Sequence, residues 1–240
     1  MKPITPLSLL TLSFLTACAQ APQTPNTLSS AEKSEGWQHL FDGQSLSGWR
    51  GYNQIELHNA WTAQDGALAL SAKTADRPQV NIITEEKFDD FDFRFEWKIT
   101  HGTNSGVMFH IGEGPKKPYH TGPEYQIIDN HGYRDKNGNP VGVKHHTATL
   151  YGIEEPASDE TKPIGEWNQS RILVQGNKVE HWLNGVIIAK YEMHSADWKA
   201  KVAQTKFATW EHFAATGQGH LGLQDHNHPV WFRNLKIKRL

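Results

Sequence analysis

Cysteine is nearly absent from this chain. Of its 240 residues only Cys18 carries a thiol, which rules out an intrachain disulfide, so an exported domain has to rest on its hydrophobic core. Apolar runs long enough to cross a bilayer are missing as well, since the stretch Leu7 to Leu15 is too short. Neither sign of charge is in large excess: 24 basic against 26 acidic side chains leave a net charge of -2. Both signs are interspersed and no basic stripe forms, which gives nucleic acid nothing to bind. Two site signatures are lacking too. No H-E-x-x-H spacing marks a metal centre, and the candidate strand has one carboxylate where retaining glucanases of the laminarinase type need two or three at i, i+2 and i+4. What the chain does hold in abundance is 14 histidines and 9 tryptophans. Tryptophan serves either as a large body for a core or as a stacking surface for sugar rings.

The start of the chain reads as a leader. Lys2 gives a short positive region, Leu7 to Leu15 the apolar region, and Leu15-Thr16-Ala17-Cys18 resembles a bacterial lipobox. Residues 1–17 are therefore expected to be a lipoprotein signal peptide and Cys18 the lipidated N-terminus, placing the protein in the bacterial cell envelope, periplasmic or outward-facing, with a lipid anchor as its only membrane attachment. Residues 18–35 hold almost nothing apolar to bury and read as a flexible tether. At Gly36 the texture changes, and residues 36–240 are long enough to bury one large core.

Within that domain short alternating runs recur: Ala60 to Gln64, Ala67 to Ser71, Asn81 to Thr84, Phe91 to Thr100, Ser105 to Gly112, Glu124 to Ile128, Arg171 to Gln175, Lys178 to Leu183, Val186 to Tyr191, Gly219 to Gln224 and Val230 to Ile237. Asn184-Gly185 is a two-residue hairpin signal, because both positions of a type I′ turn need positive φ. Only Ala196 to Lys201, capped by Ser195, reads as a helix, with a second short turn over Thr209 to Ala215. The pattern predicts an all-β sandwich of two antiparallel sheets with one short helix. Asp135 to Pro140 spaces oxygen ligands like the start of a calcium loop, but no bidentate acid follows, and it reads as a hairpin tip.

The stretch that gathers chemistry is Asn104 to Asp129. Alternation puts Val107, Phe109 and Ile111 toward the core and Gly106, Met108 and His110 on the other face. Further on, Tyr125 and Ile127 point inward while Glu124 and Gln126 share the outer, solvent-facing side. By the same reasoning Gln224 and His226 share the polar face of the run ending in Leu223. Asp129 falls out of alternation at the strand end, Tyr151 is a further binding candidate, and Glu96 stands in a charge row opposite the apolar side of Phe91 to Ile99. His110, Glu124 and His226 are also the trio that could converge on a divalent metal, a question the sequence leaves open.

Several short motifs in order resemble one family. Leu40-Phe41-Asp42-Gly43, Asn104-Ser105-Gly106-Val107, Gly122-Pro123-Glu124-Tyr125-Gln126-Ile127-Ile128-Asp129, Leu150-Tyr151-Gly152, Gly165-Glu166-Trp167-Asn168, Leu183-Asn184-Gly185 and Gly222-Leu223-Gln224-Asp225-His226 look together like the 3-keto-disaccharide hydrolase domain family. The resemblance covers about Trp37 to Leu240. It implies a concanavalin-like jelly roll acting on sugars oxidised at carbon 3, which an upstream sugar-3-oxidising dehydrogenase would supply. It also implies cleavage by removal of the carbon-2 proton, expulsion of the aglycone from carbon 1 and hydration. For that chemistry Glu124, His110 and His226 are the catalytic candidates, and Gln126, Gln224, Tyr151, Asp129 and Glu96 the substrate-binding ones. Where His110 stands, many relatives carry Arg. The alternative is a carbohydrate-binding jelly roll without catalysis.

Overall fold

The computed structural model describes residues 24–240; the stretch expected to be a signal peptide, Cys18 and the first part of the expected tether lie outside the described residues. Strands β1 (Gln38–His39), β2 (Trp49–Gly51), β3 (Trp61–Gln64), β4 (Ala67–Leu70), β5 (Ile82–Thr84), β6 (Phe91–Ile99), β7 (Asn104–Ile111), β8 (Glu124–Ile128), β9 (Asn168–Gln175), β10 (Lys178–Leu183), β11 (Val186–Glu192), β12 (His220–Leu223) and β13 (Val230–Arg239) form two sheets. The larger runs β11-β10-β9-β6-β13-β4-β3, with β1 beside β13, and the smaller runs β2-β5-β12-β7-β8. All pairings are antiparallel, as in a jelly roll. Helix α2 (Ala196–Val202) stands where Ser195 caps it. The second turn is present over residues 211–214, and a 3-10 segment at Lys206–Thr209 precedes it.

The core lies between the sheets and follows from period-2 patterning. In β6, Phe91, Phe93, Phe95, Trp97 and Ile99 are all at most 4% exposed, and each such burial contributes roughly 2 kcal/mol or more. Trp97 and Tyr125 bring polar atoms with them. Trp97 Nε1 donates to Ser170 Oγ at 2.8 Å, and the Tyr125 hydroxyl stands 2.7 Å from the same Ser170 oxygen and donates to the Trp182 carbonyl at 3.1 Å. The opposite side of β6 carries a charge row. There Arg171 donates to Asp92 at 2.8 Å and Arg233 to Glu96 at 2.7 Å. Asn184 and Gly185 take the positive φ values, 50° and 89°, that the β10–β11 turn requires.

Two expectations fail for local reasons. The alternation through Ile111 is broken by a bulge: Met108 pairs with Gly222 and Ile111 with His220, so Phe109 and His110 together oppose Leu221 alone. His110 takes φ 50°, and Gly219 lacks the Cβ that would stand 2.3 Å from the His110 backbone. After the bulge Ile111 joins Met108, Ile83 and Tyr52 on the outer face of the smaller sheet rather than Val107 and Phe109 in the core.

The second correction concerns the tether, whose described part is docked. Asn26 and Asn234, both at positive φ, exchange backbone-to-side-chain hydrogen bonds of 2.5 and 2.8 Å, and Asn26 Nδ2 donates to the Gly66 carbonyl at 2.7 Å. Helix α1 (Ser30–Ser34) follows, with a capping box between Ser29 and Glu32, and Glu32 pairs with Lys236. Polar bonds rather than apolar burial fix this segment, so its composition gave no sign of order.

Candidate active site

A cleft of about 400 Å3 opens on the outer face of the smaller sheet. Its floor is made by β7, β8 and the residues just past β12, which present Asn104, Glu124, Gln126 and Gln224. Tyr119 and His120 come from a 3-10 turn (Pro118–His120) in the loop between β7 and β8. Lys206, Phe207 and Trp210 come from the segment after α2, Tyr151 from the loop after β8, and Asn81 and His226 close one end. Asp225 alternates away from Gln224 and His226 and locks the end wall: fully buried, it pairs with Arg77 at 2.5 Å and accepts from Val80 N at 2.9 Å.

Glu124 is the centre of the floor, and only 7% of it is exposed. That corrects the expectation of a solvent-facing carboxylate, because the β7–β8 loop and the segment after α2 fold over this face of the sheet. Gln224 Nε2 donates to Glu124 Oε1 at 2.8 Å. With its amide oriented so that both ends find partners, Gln126 donates to the same oxygen at 3.2 Å and to the Ser105 carbonyl at 3.1 Å. No hydrogen bond reaches Oε2 from the described residues. Gly106 makes the pocket for this carboxylate, since a Cβ there would stand 2.1 Å from Oε1. Burial pushes the Glu124 carboxyl up to about 8, against the opposing pull of Lys206 and the Gln224 hydrogen bond.

Aromatic rings wall the cleft. Tyr119 and Trp210 stand 5.8 Å apart, His120 and Trp210 4.7 Å, and Phe207 and Trp210 5.0 Å. Lys206 is exposed as a residue, yet its ammonium lies 4.7 Å from the Tyr151 ring, 5.4 Å from Phe207 and 5.6 Å from Trp210. Burial lowers its proton affinity while Glu124 raises it. Burial also pushes the Tyr151 phenol up to about 12, so it keeps its proton at neutral pH. His226 is held below the usual imidazole range, mainly by burial and then by neighbouring His228. Two buried atoms of residues lining the cleft, Gln224 Oε1 and His226 Nδ1, find no partner among the described residues. Such orphans are expected where a polar ligand completes the bonding.

Of the candidates read from the sequence, Glu124, Gln126, Gln224, Tyr151 and His226 come together here. His110 does not. The bulge turns its ring edge-on to Phe91 at 5.9 Å and Phe109 at 5.4 Å, with Nε2 2.8 Å from the Asp89 carbonyl oxygen. The trio His110, Glu124 and His226 therefore does not assemble, and no group of three or more His, Cys, Asp or Glu among the described residues is placed to hold a metal ion. Asp129 lies outside the cleft as well. Its carboxylate accepts from the N–H groups of Gly102 and Gly132, both at 2.8 Å, and so holds a turn beyond β8. Glu96 is on the outer face of the larger sheet, across the sandwich from the cleft, bound to Arg233. Lys206, Phe207, Trp210, Tyr119, Asn104 and Asn81 were not foreseen. The one trace of the wall is the compact Lys206-Phe207-Ala208-Thr209-Trp210, which has no strand alternation and too few residues for a helix.

Comparison with known proteins adds the following. A family model described as a 3-keto-alpha-glucoside-1,2-lyase-like domain matches residues 36–238. A curated Bacteroides thetaiotaomicron protein named 3-keto-disaccharide hydrolase is 29% identical over 233 residues, covering 86% of this chain and 79% of that protein. A crystal structure from Parabacteroides distasonis, assigned provisionally as a glycosyl hydrolase, superposes with a TM-score of 0.84 at 34% identity, covering 90% of this chain and 100% of that one. A second structure from the same organism, with the same provisional assignment, shares the fold at 24% identity and a TM-score of 0.64, covering 85% of this chain and 99% of that one.

Proposed function

Because the chain belongs to the 3-keto-alpha-glucoside-1,2-lyase-like family over residues 36–238, we propose that it cleaves glycosides oxidised at carbon 3, with Glu124 as the base that takes the carbon-2 proton. The observation that carries this reading is Glu124 itself. It is a buried carboxylate whose proton affinity is raised to about 8, in an aromatic-walled cleft of about 400 Å3. A base works best when its pKa lies near the working pH, and burial has moved this one there.

The ketone at carbon 3 acidifies the proton on carbon 2. Gln224 and Gln126 hold Oε1, leaving Oε2 to face that proton. The C2–H pair becomes a C2=C3 bond as the ketone pair moves onto oxygen. When the ketone re-forms, C1=C2 forms and the bond from carbon 1 to the glycosidic oxygen breaks. Tyr151, protonated at neutral pH, can give its proton to the departing oxygen. Water then adds across C1=C2, its hydroxyl to carbon 1 with a proton to Tyr151, while Glu124 returns a proton to carbon 2. The partnerless Gln224 Oε1 and His226 Nδ1 can bind sugar hydroxyls.

Export as a lipoprotein through Cys18 belongs to the same proposal, since a cell-envelope enzyme meets glycosides before uptake. To test the function, the protein and its Glu124→Gln variant are incubated with a 3-keto-glucoside bearing a chromogenic aglycone. Release by the wild type and a loss of about a hundredfold or more in the variant are expected. Binding of the sugar with no release by either protein would leave a carbohydrate-binding module instead.

A further inference from the structure

Removal of the carbon-2 proton places negative charge on the carbon-3 oxygen, and a fixed donor aimed at that oxygen meets the charge without reorganisation. The floor offers a carboxylate and neutral amides. Burial keeps His120 and His226 below the usual imidazole range, so both are neutral at working pH. Among the described residues that line the cleft, Lys206 alone belongs to the Lys and Arg class.

Its placement suits the task. Glu124 and Lys206 act on each other electrostatically, yet no hydrogen bond or ion pair joins them, although other pairs in this protein do close, as Lys201 does on Glu154 at 3.0 Å. They face each other across open space, one from the sheet and one from the covering segment. Among the described residues no carboxylate closes an ion pair with the ammonium; the negative faces of Tyr151, Phe207 and Trp210 position it instead. A cation held by rings keeps its N–H groups free for an oxygen.

We propose that Lys206 is a catalytic residue of this site, its ammonium receiving the carbon-3 oxygen of the substrate and stabilising the enolate formed when Glu124 takes the carbon-2 proton. The step is balanced without any other group: the C2–H pair becomes the C2=C3 bond, the carbonyl pair moves to oxygen, and Lys206 donates a hydrogen bond to that oxygen while keeping its proton. The inference rests on the proposed function, and its test separates the two.

Lys206→Met keeps the apolar stem and removes the charge. Steady-state rates on a 3-keto-disaccharide are compared for wild type, Lys206→Met, Lys206→Arg and Glu124→Gln, with a thermal melt of each. The loss expected in Lys206→Met is about a hundredfold in kcat with KM within about threefold, and Lys206→Arg recovers part of the rate. Wild-type turnover by Lys206→Met, with Glu124→Gln slow, overturns the role of Lys206 and leaves the base intact. A loss confined to KM also overturns it, since Lys206 is then only a binding group. Absence of turnover by the wild type overturns the proposed function and this inference together. Should the melt show that methionine disturbs the fold, Lys206→Gln carries the same comparison.

Discussion

Folding two covering segments over Glu124 strips its carboxylate of water, and the raised proton affinity, about 8, is the record of that cost. Its sign gives a stability test. A carboxyl whose folded pKa exceeds its unfolded one leaves stability whole below the unfolded value near 4.5 and removes it as pH rises toward about 8. Glu124→Gln does not titrate, so it should melt close to wild type at pH 5 and higher than wild type at pH 8.5. Melting curves that run parallel at both pH values would show that the carboxylate is solvated. Catalysis has the opposite demand, and kcat/KM should rise with pH up to about 8 as the base ionises in the presence of Lys206, His120, His226, Tyr119 and Tyr151. Gly106→Ala tests the fit from the other side. Its Cβ would fall 2.1 Å from Oε1, so the carboxylate must move, with activity falling at least tenfold and stability by about 1–3 kcal/mol in denaturant titration. Glu124 and Gln126 were legible in the sequence because strand alternation fixes which side chains share a face. Lys206 was not, because it reaches the cleft from a 3-10 turn whose placement depends on tertiary packing.

At the scale of elements, strands were easier to read than the exceptions within them. The paired phenylalanines of β6 and the Asn184-Gly185 turn announce themselves through period and turn chemistry. The bulge in β7 does not, since a one-residue insertion leaves no compositional trace, and it removed His110 from the cleft while turning Ile111 outward. Asp129 and Glu96 were misplaced for a related reason: a polar residue on a strand can hold a turn or a cross-strand ion pair as readily as a ligand. The docked segment before β1 makes a further test. Asn26→Gly keeps the positive φ but loses the side-chain bonds to Asn234 and Gly66, and should cost about 1–3 kcal/mol in chemical unfolding. An unchanged midpoint would return this segment to the status of a free tether.

Over the whole molecule, one sandwich supplies a rigid floor and two covering segments supply the walls. The core should behave independently of the site: Phe95→Ala, 2% exposed between the sheets, is expected to cost about 3–5 kcal/mol in unfolding experiments while Glu124 still supports turnover in the folded fraction. Lipidation is tested by Cys18→Ser, which should release the protein from the membrane fraction or leave it unprocessed; unchanged fractionation would contradict the anchor. The two-sheet architecture was legible because many short alternating runs admit few other folds, whereas the cleft, made of loops, was legible only in its floor. The central claim is that cleavage begins with the carbon-2 proton passing to Glu124. Competing a 3-keto-disaccharide against the same sugar carrying deuterium at carbon 2 tests it most directly. The account expects the wild type to cleave the deuterated sugar more slowly; equal rates for the two, with Glu124→Gln as fast as wild type, would contradict it.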